Sequence, residues 1–378
     1  MKAFVQCVGC EQRHLDAQRV RAFLVGNGAA MVDEPAIADV VVLVTCAVDT
    51  RNENASVEVL RRLGEQKQPA AQLIVGGCLP DISPLRLSVA PVARTFSPRS
   101  LERLDALFEP ELKTPMAQVG DGNTTGCAPK PWRSKLPAPA REIYDRAKSG
   151  FTIRLNHGCL LSCSYCVIRL ATGRLESISA TVIEAQFQEA IRRAEPTVML
   201  VGGDTGAYGR DLGSSLPELL RALLACGGDQ RLFVHDLNAN WLVRDLKGYA
   251  ALFSAECARL QALCIPVQSG SDRVLRQMRR PYKTADVLRA LRLIRTLAPH
   301  ILLGTHLIAG FPGETKKDFE QTLALVREFP FDFATCFRYS EHASATAAKI
   351  EPKVEEADKL VRLELLRAVM GPAATILT

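Results

Sequence analysis

The stretch Asn156-His157-Gly158-Cys159-Leu160-Leu161-Ser162-Cys163-Ser164-Tyr165-Cys166 carries three cysteines in a C-x3-C-x2-C spacing. The apolar run at residues 151–155 precedes it and predicts a strand, so the cysteines are expected on the loop at its end. Three thiolates on one loop favour a soft metal or an iron–sulfur cluster. A cubane cluster needs four ligands, so three thiolates would leave one iron free to bind another group.

Two other readings of this loop are possible from the residues. A zinc knuckle would need a fourth ligand, and His157 is the nearest candidate. Buried structural cysteines are the second alternative, but three cysteines within so short a loop argue against it. The spacing therefore predicts a metal or cluster site and favours a cluster over zinc.

The composition describes a soluble globular protein of more than one domain. The chain has 378 residues, of which 47% are hydrophobic and 23% charged, and this length predicts two or three domains. It has no apolar run of membrane-spanning length, and its first residues lack the apolar region of a secretory signal. We therefore expect a cytoplasmic protein with no membrane association, whose 12 cysteines serve as metal ligands rather than disulfides. A net charge of +6 permits a polyanionic partner but does not require one.

Residues 1–110 alternate predicted strands and helices, which is typical of a parallel α/β sheet. Cys10, Cys46 and Cys78 each follow a predicted strand. Because ligands collect at the carboxyl ends of strands in such sheets, these cysteines can converge on one crevice and form a second three-thiolate site. Three unrelated buried cysteines are the alternative. Cys7 lies within the first strand, and the pattern gives it no clear role.

The rest of the chain divides into three parts by its pattern. Residues 111–148 are rich in turn-forming residues and predict a linker, which includes Cys127. Residues 149–340 contain about six strand–helix units and predict a barrel or partial barrel, with its chemistry on the loops after the strands. Residues 341–378 predict an exposed helical tail. The fold class is thus α/β, with an N-terminal parallel α/β domain and a (β/α)6 partial barrel.

Three loops at the predicted catalytic face carry groups that suit a charged ligand. Gly203 offers open backbone beside the carboxylate of Asp204, which can accept from an ammonium group. Ser269 lies in a loop of hydroxyls and bare amides, and Glu314 ends the rigid turn at 310–314. Glycine-rich turns after strands are common, so Asp204 has the alternative role of capping a turn or helix.

These motifs together resemble the radical S-adenosylmethionine (SAM) methylthiotransferases over essentially the whole chain. The resemblance is carried by the central cysteine loop, by Gly9-Cys10 with Asp16, by Thr45-Cys46-Ala47 and Gly76-Gly77-Cys78, and by the segments 266–272 and 310–315. Segments 170–177 and 203–209 look closest to the archaeal and eukaryotic branch, which modifies threonylcarbamoyladenosine beside the tRNA anticodon.

The resemblance implies two [4Fe–4S] clusters and SAM as cofactors. Cys159, Cys163 and Cys166 would hold the cluster that binds SAM and yields the 5′-deoxyadenosyl radical. Cys10, Cys46 and Cys78 would hold an auxiliary cluster that handles the sulfur inserted as a methylthio group. Gly203, Asp204, Ser269 and Glu314 are the candidates around SAM. A reducing partner such as flavodoxin or ferredoxin is also implied.

The sequence departs from the family at several positions. Arg13, Thr172 and His306 stand where the family usually has Asn, Arg and Asp, respectively. Family members normally carry an RNA-binding TRAM β-barrel after the catalytic domain, and the sequence ends before one. This weakens the expectation of a tRNA substrate and leaves a peptide, a protein side chain or a small metabolite as the alternative. The candidate RNA-binding surface comprises Arg13, Arg51, Lys130, Arg133 and Lys135.

Two further classes of function are less well supported by the sequence. A non-enzymatic iron–sulfur electron carrier would not need the large barrel with its SAM-like loops. A radical SAM reaction that uses cobalamin in the N-terminal domain would not need three strand-end cysteines. We therefore expect a methylthiotransferase that converts a substrate C–H bond to C–SCH3, with a tRNA adenosine near the anticodon as the favoured substrate.

Overall fold

A computed structural model describes residues 1–121, 151–255 and 257–377. The chain divides into two compact units. The described residues of the first are 1–121 together with Cys166–Arg174, and those of the second are 151–165 and 175–377 except residue 256. The domain limits expected from the sequence, 1–110, 111–148, 149–340 and 341–378, stay a prediction, and most of the predicted linker lies outside the described residues.

The first unit is built on a five-stranded parallel sheet in the order β2-β1-β3-β4-β5. Its strands are β1 (Lys2–Cys7), β2 (Ala30–Met31), β3 (Val40–Thr45), β4 (Gln72–Gly77) and β5 (Arg94–Thr95). Its helices are α1 (Glu11–Gly26), α2 (Thr50–Gln66), α3 (Leu79–Ile82) and α4 (Ile168–Thr172). The parallel α/β sheet predicted for this part of the chain is confirmed.

Alternate residues of β3 pack on opposite faces of this sheet. Val42 and Val44 join one apolar cluster with α1, whereas Val41 and Leu43 join another with α2. All six residues of β3 are buried as a result. A strand covered by helices on both faces must be apolar throughout, which explains the continuous run Val-Val-Val-Leu-Val before Thr45.

The second unit is an eight-stranded sheet in the order β13-β12-β11-β10-β9-β8-β6-β7. The strands are β6 (Phe151–His157), β7 (Glu176–Ser177), β8 (Thr197–Gly202), β9 (Arg231–Val234), β10 (Leu260–Cys264), β11 (Leu302–Ala309), β12 (Phe333–Arg338) and β13 (Ala374–Leu377). All neighbouring strands are parallel except β6 and β7. The predicted succession of parallel strand–helix units is confirmed.

Helices connect these parallel strands and pack on one face of the sheet. They are α5 (Ala180–Arg192), α6 (Leu216–Ala225), α7 (Ala239–Arg244), α8 (Leu246–Ser254), α9 (Asp272–Gln277), α10 (Thr284–Leu297), α11 (Lys316–Glu328) and α12 (Glu356–Met370). This arrangement leaves the loops that follow β6, β8, β10 and β11 at the carboxyl ends of the strands, where parallel α/β folds place their ligands.

The last part of the chain differs from the predicted exposed helical tail. The helix α12 begins at Glu356, and its Arg362, Leu363 and Leu366 are buried. The residues after it form β13, which pairs in parallel with β12 from Ala334 to Phe337. Four residues are too few to show a strand periodicity, and their pairing with β12 depends on the order of strands in the sheet, which the local sequence does not reveal.

Candidate functional site

The three N-terminal cysteines lie at the junctions between strands and helices. Cys10 and Cys78 are the residues immediately before α1 and α3, and Cys46 follows β3 directly. The junction after β4 requires glycine, because Gly77 has φ +90° and a Cβ there would lie 2.2 Å from the Thr45 carbonyl oxygen. The parallel sheet therefore brings together cysteines that are distant in the sequence.

These three thiols interact with one another and with Arg13. The Cys10 and Cys46 side chains are hydrogen-bonded, and this contact and burial raise the pKa of Cys46 well above its usual value. Burial raises the pKa of Cys78 to about 11. Arg13 Nη1 lies 3.7 Å from Cys78 Sγ and 3.1 Å from Asp16 Oδ2. The convergence expected from the strand ends is confirmed, although the role of the three thiols as cluster ligands stays a prediction.

The surroundings of the N-terminal thiols fit an anionic three-thiolate cluster. Arg13 is only 1% exposed, and its Nε meets no hydrogen-bond acceptor in the described part of the chain. A buried cation beside three thiols lowers the cost of negative charge there. The prediction that Arg13 belongs to an RNA-binding surface is wrong, because its guanidinium is directed at the thiols. Arg51 is exposed, and Lys130, Arg133 and Lys135 lie outside the described residues.

The central cysteine loop begins after β6, as predicted. Cys159 Sγ accepts a hydrogen bond from the Leu161 amide (3.3 Å) and lies 3.6 Å from Asp204 Oδ2. Cys163 is half-buried and Cys166 exposed. His157, the alternative zinc ligand, has its Nδ1 3.1 Å from Arg154 Nη1. Three cysteines on one loop provide a donor set that fits a cluster with one open iron.

The loop after β8 places Gly203 and Asp204 against the cysteine loop. A Cβ on Gly203 would lie 2.1 Å from the Gly158 carbonyl oxygen, so only glycine fits there. The Asp204 carboxylate accepts a hydrogen bond from Trp241 Nε1 at 2.7 Å. Burial raises the pKa of Asp204 to about 6. Its Oδ1 is buried and receives no hydrogen bond from the described residues, so it retains the capacity to accept one from a ligand.

The other two predicted SAM contacts, Ser269 and Glu314, form hydrogen bonds with other residues of the protein. Ser269 Oγ accepts from the Ser271 amide at 3.1 Å and is fully buried. Glu314 Oε2 accepts from the Gly310 amide (2.8 Å) and from Arg362 Nη1 (2.5 Å). These side chains fix the shape of the loops after β10 and β11. A direct contact of either side chain with SAM stays a prediction.

Sequence reasoning missed Arg280, which is 5% exposed. Its Nη2 donates to the Tyr165 hydroxyl at 3.0 Å. Burial lowers the pKa of Arg280, but the nearby Tyr165, Tyr282 and Cys163 side chains outweigh it and raise that pKa well above its usual value. Its Nε and Nη1 are buried without an acceptor among the residues that the structure describes. The sequence signal was weak, because Arg280 is one of two adjacent arginines after α9 and only the tertiary structure places it near a predicted cluster ligand.

Comparisons with known proteins indicate the family to which the chain belongs. Residues 153–326 match the Radical SAM superfamily, and residues 2–94 match the uncharacterized protein family UPF0004. The tRNA-2-methylthio-N(6)-dimethylallyladenosine synthase of Symbiobacterium thermophilum is 30% identical over 392 residues, covering 99% of this chain and 80% of the relative. The chain belongs to the radical SAM methylthiotransferase family.

Two further comparisons give one relative that is similar in sequence and one solved structure that is similar in fold. The threonylcarbamoyladenosine tRNA methylthiotransferase MtaB of Thermotoga maritima is 29% identical over 371 residues, which cover 96% of this chain and 80% of that protein. The cobalamin- and [4Fe–4S]-bound radical SAM methyltransferase TsrM from Kitasatospora setae superposes with a TM-score of 0.63 at 12% identity, over 92% of this chain and 77% of that one. The likeness to TsrM concerns the fold alone.

Membership of the family confirms several expectations from the sequence. The protein is a transferase of sulfur-containing groups, and its cofactors are SAM and [4Fe–4S] clusters, with two clusters matching its two domains. The alternative of a non-enzymatic electron carrier is therefore wrong for this methylthiotransferase. Among the helices of the described residues, none has the length and apolar character needed to cross a membrane.

Proposed function

We propose that the protein converts a C–H bond to C–SCH3 on a tRNA adenosine beside the anticodon. The observation that carries this proposal is sequence similarity through both units to enzymes named for modified tRNA adenosines. The threonylcarbamoyl-modified adenosine is the favoured substrate, because segments 170–177 and 203–209 resemble that branch of the family.

The described residues support a division of tasks between the two units. When bound, SAM would supply the methyl group and, with the cluster that binds it, the 5′-deoxyadenosyl radical that removes hydrogen from the substrate. The auxiliary cluster would supply the sulfur. The ligands that would hold the clusters are Cys159, Cys163 and Cys166 for the SAM-binding cluster, and Cys10, Cys46 and Cys78 for the auxiliary cluster. Asp204 would accept a hydrogen bond from the SAM amino group through its unpaired, buried oxygen.

Reductive cleavage of SAM needs a one-electron donor. We assign this role to a small redox protein of the flavodoxin or ferredoxin class, in the cytoplasm, where both tRNA and such donors occur. Omission of the redox protein from an assay with its reductase and NADPH should abolish formation of 5′-deoxyadenosine, and dithionite should restore it. Cleavage of SAM with the reductase and NADPH alone would contradict this requirement.

The substrate is tested with the anaerobically reconstituted full chain. The enzyme is incubated with SAM, dithionite and either unmodified or threonylcarbamoyl-modified tRNA, and the nucleosides are analysed by liquid chromatography and mass spectrometry. We expect a methylthio nucleoside with the modified tRNA. Binding should weaken steeply with salt, because contacts to phosphates release counterions.

Two outcomes distinguish the alternatives. Methylthiolation of a dimethylallyl-type tRNA adenosine, but not of the threonylcarbamoyl form, would change the branch and keep the tRNA substrate. Cleavage of SAM by intact clusters without modification of any tRNA would overturn the tRNA proposal. A peptide, a protein side chain or a small metabolite would then be the substrate class to test.

A further inference from the structure

Two histidines and a cysteine lie together on the sheet of the second unit, on the face opposite its helices. Residues of a strand point alternately to the two faces of a sheet. Leu263 and Leu307 belong to the core that the helices cover, so their neighbours Cys264 and His306 point to the other face. His235 directly follows β9, and its neighbour Val234 also belongs to that core, so His235 points to the same face as Cys264 and His306. The sheet order makes β9, β10 and β11 direct neighbours.

The distances within this group suit a single metal ion. One potential ligand atom from each of His235, Cys264 and His306 lies within 4.8 Å of the others. Cys264 Sγ is 3.4 Å from His306 Nε2. In a tetrahedral zinc site the ligand atoms are about 3.5 Å apart, given typical zinc–sulfur and zinc–nitrogen bond lengths. Small side-chain adjustments would therefore bring all three atoms to bonding distance.

Asp236 is hydrogen-bonded to the imidazole of His235 and lies near that of His306. Its Oδ2 lies 2.8 Å from His235 Nδ1, and its Oδ1 lies 3.8 Å from His306 Nδ1. A carboxylate at Nδ1 directs the Nε2 atom of the same ring toward a metal, which is the usual arrangement around zinc-bound histidines. Asp236 has φ +56°, a conformation uncommon for residues other than glycine and often maintained for function.

The chemistry of the donors indicates which metal would bind. Two imidazoles and one thiolate are nitrogen and sulfur ligands, which suit Zn²⁺ and not Mg²⁺ or Ca²⁺. Cys264 is fully buried, and burial without a cation disfavours its thiolate. A metal ion would provide the positive charge that lets Cys264 lose its proton to solvent on binding.

We propose that His235, Cys264 and His306 bind one Zn²⁺, with Asp236 holding the imidazole of His235 in place. None of the three proposed ligands is one of the six cysteines assigned to the clusters. Three protein ligands leave a fourth position for water or for a donor atom of the substrate, which is the ligand pattern of catalytic rather than structural zinc sites.

The test uses the cluster-loaded full chain, prepared anaerobically, equilibrated with a zinc buffer and freed of unbound metal. Elemental analysis should find about one zinc per chain in addition to the cluster iron. The zinc K-edge absorption spectrum, which is blind to iron, should show about one sulfur ligand together with nitrogen or oxygen ligands. Three or four sulfur ligands would place the zinc in a cluster site and would overturn the proposal. A protein that retains no zinc would also overturn it.

Variants provide the second arm of this test. Cys264→Ser and His235→Gln should each weaken zinc binding at least tenfold and leave the iron content unchanged. Cys336→Ser and His300→Gln are matched controls, because Cys336 is a buried thiol on the adjacent strand β12 and His300 precedes β11. Retention of zinc by both ligand variants would overturn the proposal. If a ligand variant fails to fold, the sulfur count of the wild-type spectrum still decides.

Discussion

Arg13 shows how burial changes the role of a charged residue. In the sequence it is one of several basic residues that suit a polyanion, but in the structure it contacts Cys78 and Asp16 and is nearly inaccessible. A fixed positive charge beside a cluster stabilises the reduced, more negative state of that cluster. Arg13 would therefore raise the reduction potential of a cluster held by Cys10, Cys46 and Cys78.

We predict that Arg13→Gln lowers the reduction potential of the auxiliary cluster by on the order of 100 mV. A unit charge near 4 Å contributes about 4 kcal/mol in a partly polar environment, and the negative charge of Asp16 offsets part of this contribution. Glutamine keeps a hydrogen-bond donor and removes the charge. A redox titration followed by electron paramagnetic resonance measures the change. The exposed Arg51→Gln is the control, and an equal potential in the two variants would exclude a role for the Arg13 charge.

Asp204 links the loop after β8 to the cysteine loop, and a second prediction concerns its charge. Asn in its place keeps the shape and an acceptor oxygen for Trp241. We predict that Asp204→Asn weakens SAM binding roughly tenfold or more, since hydrogen bonds to charged groups contribute about 1.5–3 kcal/mol. Equilibrium dialysis with cluster-loaded protein measures the affinity, with the exposed Asp229→Asn as control. Unchanged affinity with normal iron content would restrict Asp204 to a structural role in its turn.

At the scale of elements, Asp318 joins the start of α11 to the loop after β10. It forms a capping box with Thr315, whose amide donates to Asp318 Oδ2 at 2.9 Å. Its Oδ1 accepts from Ser271 Oγ at 2.7 Å and from Arg273 Nε at 3.1 Å. Ser271 in turn caps α9. This one carboxylate therefore positions the loop that contains Ser269, a candidate SAM contact.

We predict that Asp318→Asn lowers the free energy of unfolding by about 2 kcal/mol at pH 7, the sum of a lost cap and a lost charged hydrogen bond. Burial raises the pKa of Asp318, but hydrogen bonds from Arg273, Thr315 and Ser271 outweigh it and hold that pKa below its usual range. The contribution of Asp318 is thus present above the unfolded-state pKa of about 4 and is lost as the pH falls toward the folded-state value.

Urea denaturation of the wild type and Asp318→Asn at several pH values tests this prediction. The difference in unfolding free energy should be constant between pH 7 and 5 and should narrow below about pH 4. Asp286→Asn is the matched control, because Asp286 also lies in the first turn of a helix but pairs with an exposed arginine. A difference that stays constant down to the lowest pH would contradict the depressed pKa of Asp318.

At the scale of the whole molecule, the chain carries two sets of three cysteines with different sequence signatures. One set is contiguous on a single loop, and the other is assembled from three strand ends. The radical source and the sulfur source are therefore expected to be separable by mutation. This separation follows from the ligand assignments, which the next experiment tests directly.

We predict that the triple variant Cys10→Ala, Cys46→Ala and Cys78→Ala keeps about four of about eight irons, since each cubane contributes four. It should still cleave SAM to 5′-deoxyadenosine but form no methylthio product. The corresponding variant of Cys159, Cys163 and Cys166 should lose both reactions. Iron analysis and product analysis measure these effects, with Cys226→Ala as control. Wild-type iron content in either triple variant would show that the cluster assignment is wrong.

The sequence by itself determined the features that depend on neighbouring residues. The C-x3-C-x2-C loop, the alternation of strands and helices, and the position of Cys10, Cys46 and Cys78 after strands can all be read locally. Short-range spacing and periodicity encode these features, because backbone geometry fixes which residues a few positions apart share a face.

The tertiary structure alone decided which distant residues meet. The burial of Arg13, the proximity of Arg280 to Cys163, the strand β13 and the group of His235, Cys264 and His306 depend on which strands are neighbours and on their register. Such contacts join segments tens of residues apart, and a one-residue change of register would turn every side chain of a strand to the other face. Local sequence patterns therefore predict the elements and the ligand loop, whereas the packing of the whole sheet determines the surroundings of each ligand.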